Sequence, residues 1–244
     1  MRGLRWFGFV LVAVCVVGVL VVSSASAALP QVLPETAGKT AASTSTTEAV
    51  FETTGKKAVV CKTATGTSKE AGTTPLGEFH INFASCTTTV AGIKFTCTGL
   101  GDTSGNILSL GEYHFVYDAL GASESTALGI AILFLVTPTH FECAGGFALV
   151  VVEGSELCLV TEPHVAKTLH AFTCTETAGV PTDKVYWNDE GKEVKHGSPP
   201  AAGEWGLTTT ENESTTKLGS AEGAGGLILW LNAAKENVSA SIMG

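Results

Sequence analysis

Six histidines, His80, His114, His140, His164, His170 and His196, are the side chains of this sequence suited to carrying a proton or ligating a metal near neutral pH. Two of them repeat a context: "LGEFH" ends at His80 and "LGEYH" ends at His114. Side chains alternate along a strand, so Glu78 and His80 share one face while Phe79, Ile81 and Phe83 share the other. By the same period, Glu112 and His114 lie opposite Tyr113, Phe115 and Tyr117. If the two segments pair in register, two imidazoles and two carboxylates converge, and Glu78, His80, Glu112 and His114 become candidate ligand or metal residues. The competing reading makes them ordinary polar-face residues of two half-buried strands.

Other chemistry is sparse. Neither a GxSxG elbow nor an HExxH helix is present. "GLGDTSGN" has Ser104 where the turn of an aspartic protease needs glycine, so Asp102 is read as a turn residue. Only four aspartates exist, Asp102, Asp118, Asp183 and Asp189, and no trio of residues stands out as a catalytic set. No cofactor motif appears. Trp187, Trp205 and Trp230 could stack on a sugar or could fill the core. Asn212-Glu213-Ser214 and Asn237-Val238-Ser239 match glycan acceptor sequons, which act only where the source has the machinery.

The elements that must position these residues begin with an export signal. Arg2 and Arg5 precede an apolar run from Trp6 to Val22, and Ala25-Ser26-Ala27 offers the small-x-small cleavage pattern, so residues 1–27 read as a signal peptide cut after Ala27. Retention as a membrane anchor is the alternative, because a run of roughly 17 apolar residues approaches the length of a spanning helix. Cys15 follows Val14 rather than a small residue, which argues against lipid attachment. "LPETAG", Leu33 to Gly38, approaches the sortase signal LPxTG but stands just after the leader, without the hydrophobic segment and basic tail that transpeptidation uses. Residues 28–48 are therefore expected to be an extended or disordered linker, and the Thr/Ser/Ala stretch Thr36 to Thr47 shows no core residues.

Charge excludes one class of function. The chain carries 14 basic and 23 acidic residues, and both arginines lie in the leader. The mature chain of about 217 residues then has a net charge of about −11 and no arginine, which removes the bidentate fork that phosphates favour and repels polyanions. Nucleic acid is not a partner, and the mature form is expected not to span a membrane.

From residue 49 to 244, short alternating or wholly apolar segments recur between Gly, Thr, Ser and Asn turns, the pattern of an all-β sandwich or, alternatively, a barrel. "LGIAILFLV" (Leu128 to Val136) and "FALVVV" (Phe147 to Val152) read as central strands buried on both faces. Further strands are expected at Ala58 to Lys62, Gly92 to Thr98, Leu157 to Thr161, Thr168 to Thr175, Lys184 to Trp187, Gly206 to Thr210 and Leu227 to Leu231. Asp189-Glu190-Gly191 suits a hairpin turn, and the polar, Pro/Gly-rich stretch 188–203 reads as a surface loop. Outside the leader stand six cysteines, Cys61, Cys86, Cys97, Cys143, Cys158 and Cys174, an even number that suits a disulfide framework in an exported chain. Six cysteines allow fifteen connectivities. Bonding between strands that should lie side by side gives Cys61–Cys86, Cys97–Cys143 and Cys158–Cys174 as the working set. The absence of a CxxC or CxxxC pair makes zinc the poorer use of these thiols.

The layout of leader, "ALP" entry, "VVCKTATGTSKEAGTTPLGEFHINFASC", "CTGLGDTSGNILSLGEYHF", "FECAGGFALVVVEGSEL" and "GEWGLTTTENEST" resembles a group of uncharacterised secreted proteins of soil actinobacteria. The resemblance spans most of the mature chain and consists of cysteine and glycine spacing around strands. It implies export and a β-rich disulfide fold, and it brings no activity. Cys158, Cys174 and the histidines depart from that pattern.

These observations together predict an exported, non-enzymatic protein of the cell envelope or extracellular space, structural, adhesive or ligand-binding, with a cell-wall polymer or glycan as a possible partner. The alternative is a secreted hydrolase whose histidines and glutamates are gathered only by the fold.

Overall fold

In the computed structural model, the described residues are 29–33, 40–69, 76–118, 129–143, 148–182, 185–187, 193–196, 204–212, 214 and 216–243. They form β1 (Gln31–Leu33), β2 (Thr40–Ser45), β3 (Ala49–Thr53), β4 (Ala58–Cys61), β5 (Thr63–Lys69), β6 (Leu76–Ala84), β7 (Thr87–Val90), β8 (Ile93–Gly99), β9 (Ile107–Asp118) and β10 (Ile130–Cys143). There follow β11 (Ala148–Val160), β12 (Leu169–Cys174), β13 (Glu176–Thr177), β14 (Val180–Pro181), β15 (Val185–Trp187), β16 (Glu193–His196), β17 (Glu204–Trp205), β18 (Leu207–Glu211), β19 (Leu218–Leu231) and β20 (Ser241–Met243). No helix occurs among the described residues. The leader 1–27 and residues 34–38 of the sortase-like segment lie outside them.

Three long strands, β10, β11 and β19, run past two hydrophobic cores. Around the first core, antiparallel pairing passes from β10 through β9, β6, β5, β2, β19 and β12 to β11, which itself pairs with β10. Around the second, it passes from β10 through β8, β7, β4, β3, β19 and β18 to β11. The fold is thus the expected all-β, disulfide-reinforced sandwich, with strand pairing carried around its edges. Layers meet across the first core where Phe115 of β9 lies 6.2 Å from Trp230 of β19, and Phe134 of β10 lies 6.4 Å from Phe172 of β12.

Each long strand changes partners where the cores meet, and each carries a local irregularity there. In β10 the register shifts between Val136 and Thr139, around Pro138. Opposite this bulge stands Gly154 of β11, with φ of 114°; a Cβ added there would come within 2.1 Å of the Gly206 carbonyl oxygen. Both the left-handed backbone and the close approach require glycine. In β19 the corresponding stretch is Gly223-Ala224-Gly225-Gly226, which lies inside a 14-residue strand that begins well before the expected Leu227.

Several boundaries differ from the sequence expectation. Thr40–Ser45, placed in a linker, is a strand paired on both sides, with β19 and with β5, and Ala41 is buried beside Trp230. The small residues that hid it are what fit beneath a tryptophan. Leu29 and Val32, also assigned to the linker, are buried; β1 pairs with β20 and closes the end of the first core. The expected strands at 147–152 and 157–161 are one strand, β11. Within 188–203, Glu193–His196 is a strand rather than loop, paired with β15 as the arms of the predicted hairpin. A third cluster, in which Tyr186 packs with Ala131, Leu133, Val116 and Leu157, covers the outer face of β9 to β11. That cover explains why "LGIAILFLV" is apolar without alternation: Ile130 and Ile132 face the first core, Ala131 and Leu133 the cover.

All three disulfides join the pairs inferred from neighbouring strands: Cys61–Cys86, Cys97–Cys143 and Cys158–Cys174. Cys97 and Cys143 are direct register partners of β8 and β10, as are Cys158 and Cys174 of β11 and β12. Closing loops of 25, 46 and 16 residues, they restrict the unfolded chain to different degrees. By loop length, replacing Cys97 and Cys143 together by serine should cost about 4 kcal/mol, and the Cys158/Cys174 pair about 3 kcal/mol. Urea unfolding of the two double variants at neutral pH checks both the magnitude and the order.

Candidate functional site

The two "LGE(F/Y)H" segments do pair in register, and they pair with each other. Glu78 of β6 stands opposite Glu112 of β9, with Gly77 opposite Tyr113, Phe79 opposite Gly111, Leu76 opposite His114 and His80 opposite Leu110. The repeat is therefore a local two-fold arrangement in which each glycine is covered by the other segment's aromatic ring. A Cβ on Gly77 would lie 2.3 Å from the Tyr113 ring, and one on Gly111 would lie 2.8 Å from Phe79 and 2.1 Å from the Leu135 carbonyl oxygen. Tyr113 and Phe79 are buried as a result. On the opposite face, Glu78, His80 and Glu112 are exposed and His114 is half-buried. Glu78 and Glu112 are like charges directly across the ladder, which is unfavourable. The sequence-predicted quartet thus shares one face and one register, yet no group of three or more His, Cys, Asp or Glu side chains able to hold a metal ion occurs among the described residues.

The remaining histidines do not join them. His140 lies at the far half of β10, its Nδ1 3.2 Å from the Pro138 carbonyl oxygen. His164 is exposed in the turn before β12, and the side chain of His196 lies outside the described residues. His170 is buried, accepts a hydrogen bond at Nδ1 from Trp230 Nε1 at 2.7 Å, and places Nε2 3.0 Å from the Val165 carbonyl oxygen. That pattern needs a neutral ring with its proton on Nε2, and burial, the largest cause, lowers the His170 pKa accordingly. Trp230, only 1% exposed, belongs to the core, so the three-tryptophan sugar platform is not formed. Asp102 accepts the Leu108 backbone N–H at 2.8 Å, the turn role expected of it.

What the sequence did not reveal lies inside. Among the described residues, a run of voids that share walls follows the interior, and its members are a first, a middle and a third. The first, about 50 Å³, is walled by Tyr113, Phe115, Ile132 and Trp230 in the first core. A middle void, also about 50 Å³, shares Phe79, Ile81, Phe134 and Phe172 with it. The third, about 70 Å³, shares Phe83, Ser109, Val136 and Glu222 with the middle one and extends into the second core. Ile81, Phe83, Phe134, Val136 and Phe172 keep partial solvent access, and exposed Thr44 lies at the rim of the middle void. Voids of this size hold a few waters each.

Two carboxyls stand where the cores meet. Glu222 of β19 lines the middle and third voids, and its backbone N–H donates to Glu156 Oε2 at 3.2 Å. Glu156 of β11 is 2% exposed. Burial pushes the Glu222 carboxyl up to about 7. At the other end of the run the Tyr113 hydroxyl is buried without a hydrogen bond of normal geometry, and burial pushes its pKa up to about 12. In sequence, Glu156 and Glu222 sit in "VEGSEL" and "SAEGAGG", where nothing distinguishes them from surface acids; long-range pairing alone turns them inward.

The Glu222 shift has a stability consequence. A carboxyl whose pKa is higher folded than unfolded contributes stability that is present below the unfolded value, near 4.5, and is lost as pH rises through 7. His170 acts in the opposite sense, its contribution present above its ordinary value of 6.5 and lost on acidification. The difference in urea stability between the wild type and Glu222→Gln isolates the first effect. It should change by about 3 kcal/mol between pH 4.5 and pH 8 in favour of Gln, and a pH-independent difference would refute the interior placement of this acid. Compared with known protein families, curated proteins and solved structures, the chain matches none.

Proposed function

We propose that this is an exported, non-enzymatic protein of the extracellular space or cell envelope that holds a slender apolar ligand between its layers. The observation that carries the reading is the run of three connected-walled voids lined by phenylalanines. Close packing is the ordinary state of a protein interior, and a line of unfilled spaces forfeits dispersion contacts along its whole length. Retaining it beside rings as large as Phe79, Phe134 and Phe172 is a cost that ligand binding would offset. The three disulfides support an oxidising location and supply stability against that cost. The small volume of each void, about 50 to 70 Å³, favours a single chain over a ring or a sugar.

The test is titration of the oxidised protein with n-decanol, read by calorimetry and by the shift in thermal midpoint. Wild type should bind with a rise in midpoint, and Ala224→Phe, which fills the middle void, should bind at least tenfold more weakly. Absence of binding by the wild type, or undiminished binding by the filled variant, would remove the reading.

A further inference from the structure

Resting on that reading, we infer that the interior site is selective for a chain bearing a positively charged head, an alkylammonium, whose nitrogen meets the Glu222 carboxylate in the middle void while its chain runs toward Trp230. Four observations converge on this. First, Glu222 lines both the middle and third voids, and among the described residues no hydrogen bond reaches its carboxyl. A half-buried acid facing apolar walls gains from a partner that supplies donors, and an ammonium brings three. Second, among the described residues that wall the three voids there is no lysine, arginine or histidine. Facing Glu222 are Phe51 across the ladder in β3, Phe83 of β6, Ser109 of β9, Val136 of β10 and Glu156 of β11; the one other charged group is Glu156, also an acid. Third, Glu156 Oε2 accepts the Glu222 backbone N–H, which fixes the strand segment that presents the carboxyl.

The fourth observation is the lining away from Glu222. The middle void adds Phe79, Phe134 and Phe172 to the serines and threonine of its rim, and the first void continues with Tyr113, Phe115, Ile132 and Trp230. An amphiphile with its head at Glu222 places its tail among these rings. A fatty acid of the same length would place a second carboxylate against Glu222 in a medium that strengthens the repulsion. A net charge of −9 for the chain adds long-range attraction for cations and repulsion of anions.

The experiment compares n-octylammonium, n-octanol and octanoate at pH 8 and low salt on the oxidised full-length secreted protein, by calorimetry. Expected is an affinity for the ammonium at least tenfold above that for octanol, with octanoate weakest. Glu222→Gln should abolish the ammonium preference over octanol, with circular dichroism and the thermal midpoint reporting that the variant is folded. Because the ammonium must displace the proton of Glu222, its affinity should fall below pH 7 while that of octanol stays level. If octanol and octylammonium bind alike, and Glu222→Gln changes neither, the head-group assignment is overturned and the apolar channel stands. If none of the three binds, both readings fall together.

Discussion

The antiparallel pairing of β10 with β11 is the constraint from which the rest of the molecule follows. These strands are paired from Ile130 opposite Val160 to Cys143 opposite Ala148, with the bulge at Val136–Thr139 between. On one side of the bulge they form part of the wall of the first core, and on the other part of the second. The bulge and Gly154 face each other, so the pair bends as one unit rather than slipping register. With β19 they run past both cores, and they fix where Glu156 and Glu222 come to lie.

Much of this architecture was readable in the sequence, and the reasons differ by element. The alternation in "LGEFHINFA" and "LGEYHFVYD" is a direct imprint of one buried and one solvated face, and the matching glycines and aromatics record reciprocal covering across the ladder. The disulfide pairs were readable because cysteines close in sequence to adjacent strands end up as cross-strand neighbours. Thr40–Ser45 and the first half of β19 were not readable. Their small and flexible residues carry turn propensity, and only the large rings above them, Trp230 over Ala41 and Phe172 over Gly226, make such residues the right ones. The candidate site was legible in half: the face shared by Glu78 and His80, and by Glu112 and His114, follows from local pattern, whereas the register that sets Glu78 opposite Glu112 comes from the pairing of β6 with β9. The interior position of Glu156 and Glu222 depends on which partner each long strand takes after its bend, which no local window contains.

The interior changes character along its length. At the end of the first core Trp230 is hydrogen-bonded to His170, and Val32 and Ile242 close the base. Where the cores meet, Ser109 and two acids join the walls. A polar interior patch is tolerated when neighbouring structure over-determines the geometry. Here the over-determination is covalent on either flank, since Cys61 walls the third void and Cys174 the middle one.

That placement ties the sulfur bonds to the site and not to stability alone. Cys174 is joined to Cys158, its direct partner across the β11–β12 ladder, and Glu156 lies two residues before Cys158 on the same strand. Side chains two apart on a strand share a face, so the bond and the acid look into the same interior. Breaking the bond would free the β12 wall, which carries Phe172, to move against β11. A void bounded by Phe172 keeps its width only while β12 is held. The oxidised state therefore helps to set the spacing of β11 and β12 around the middle void.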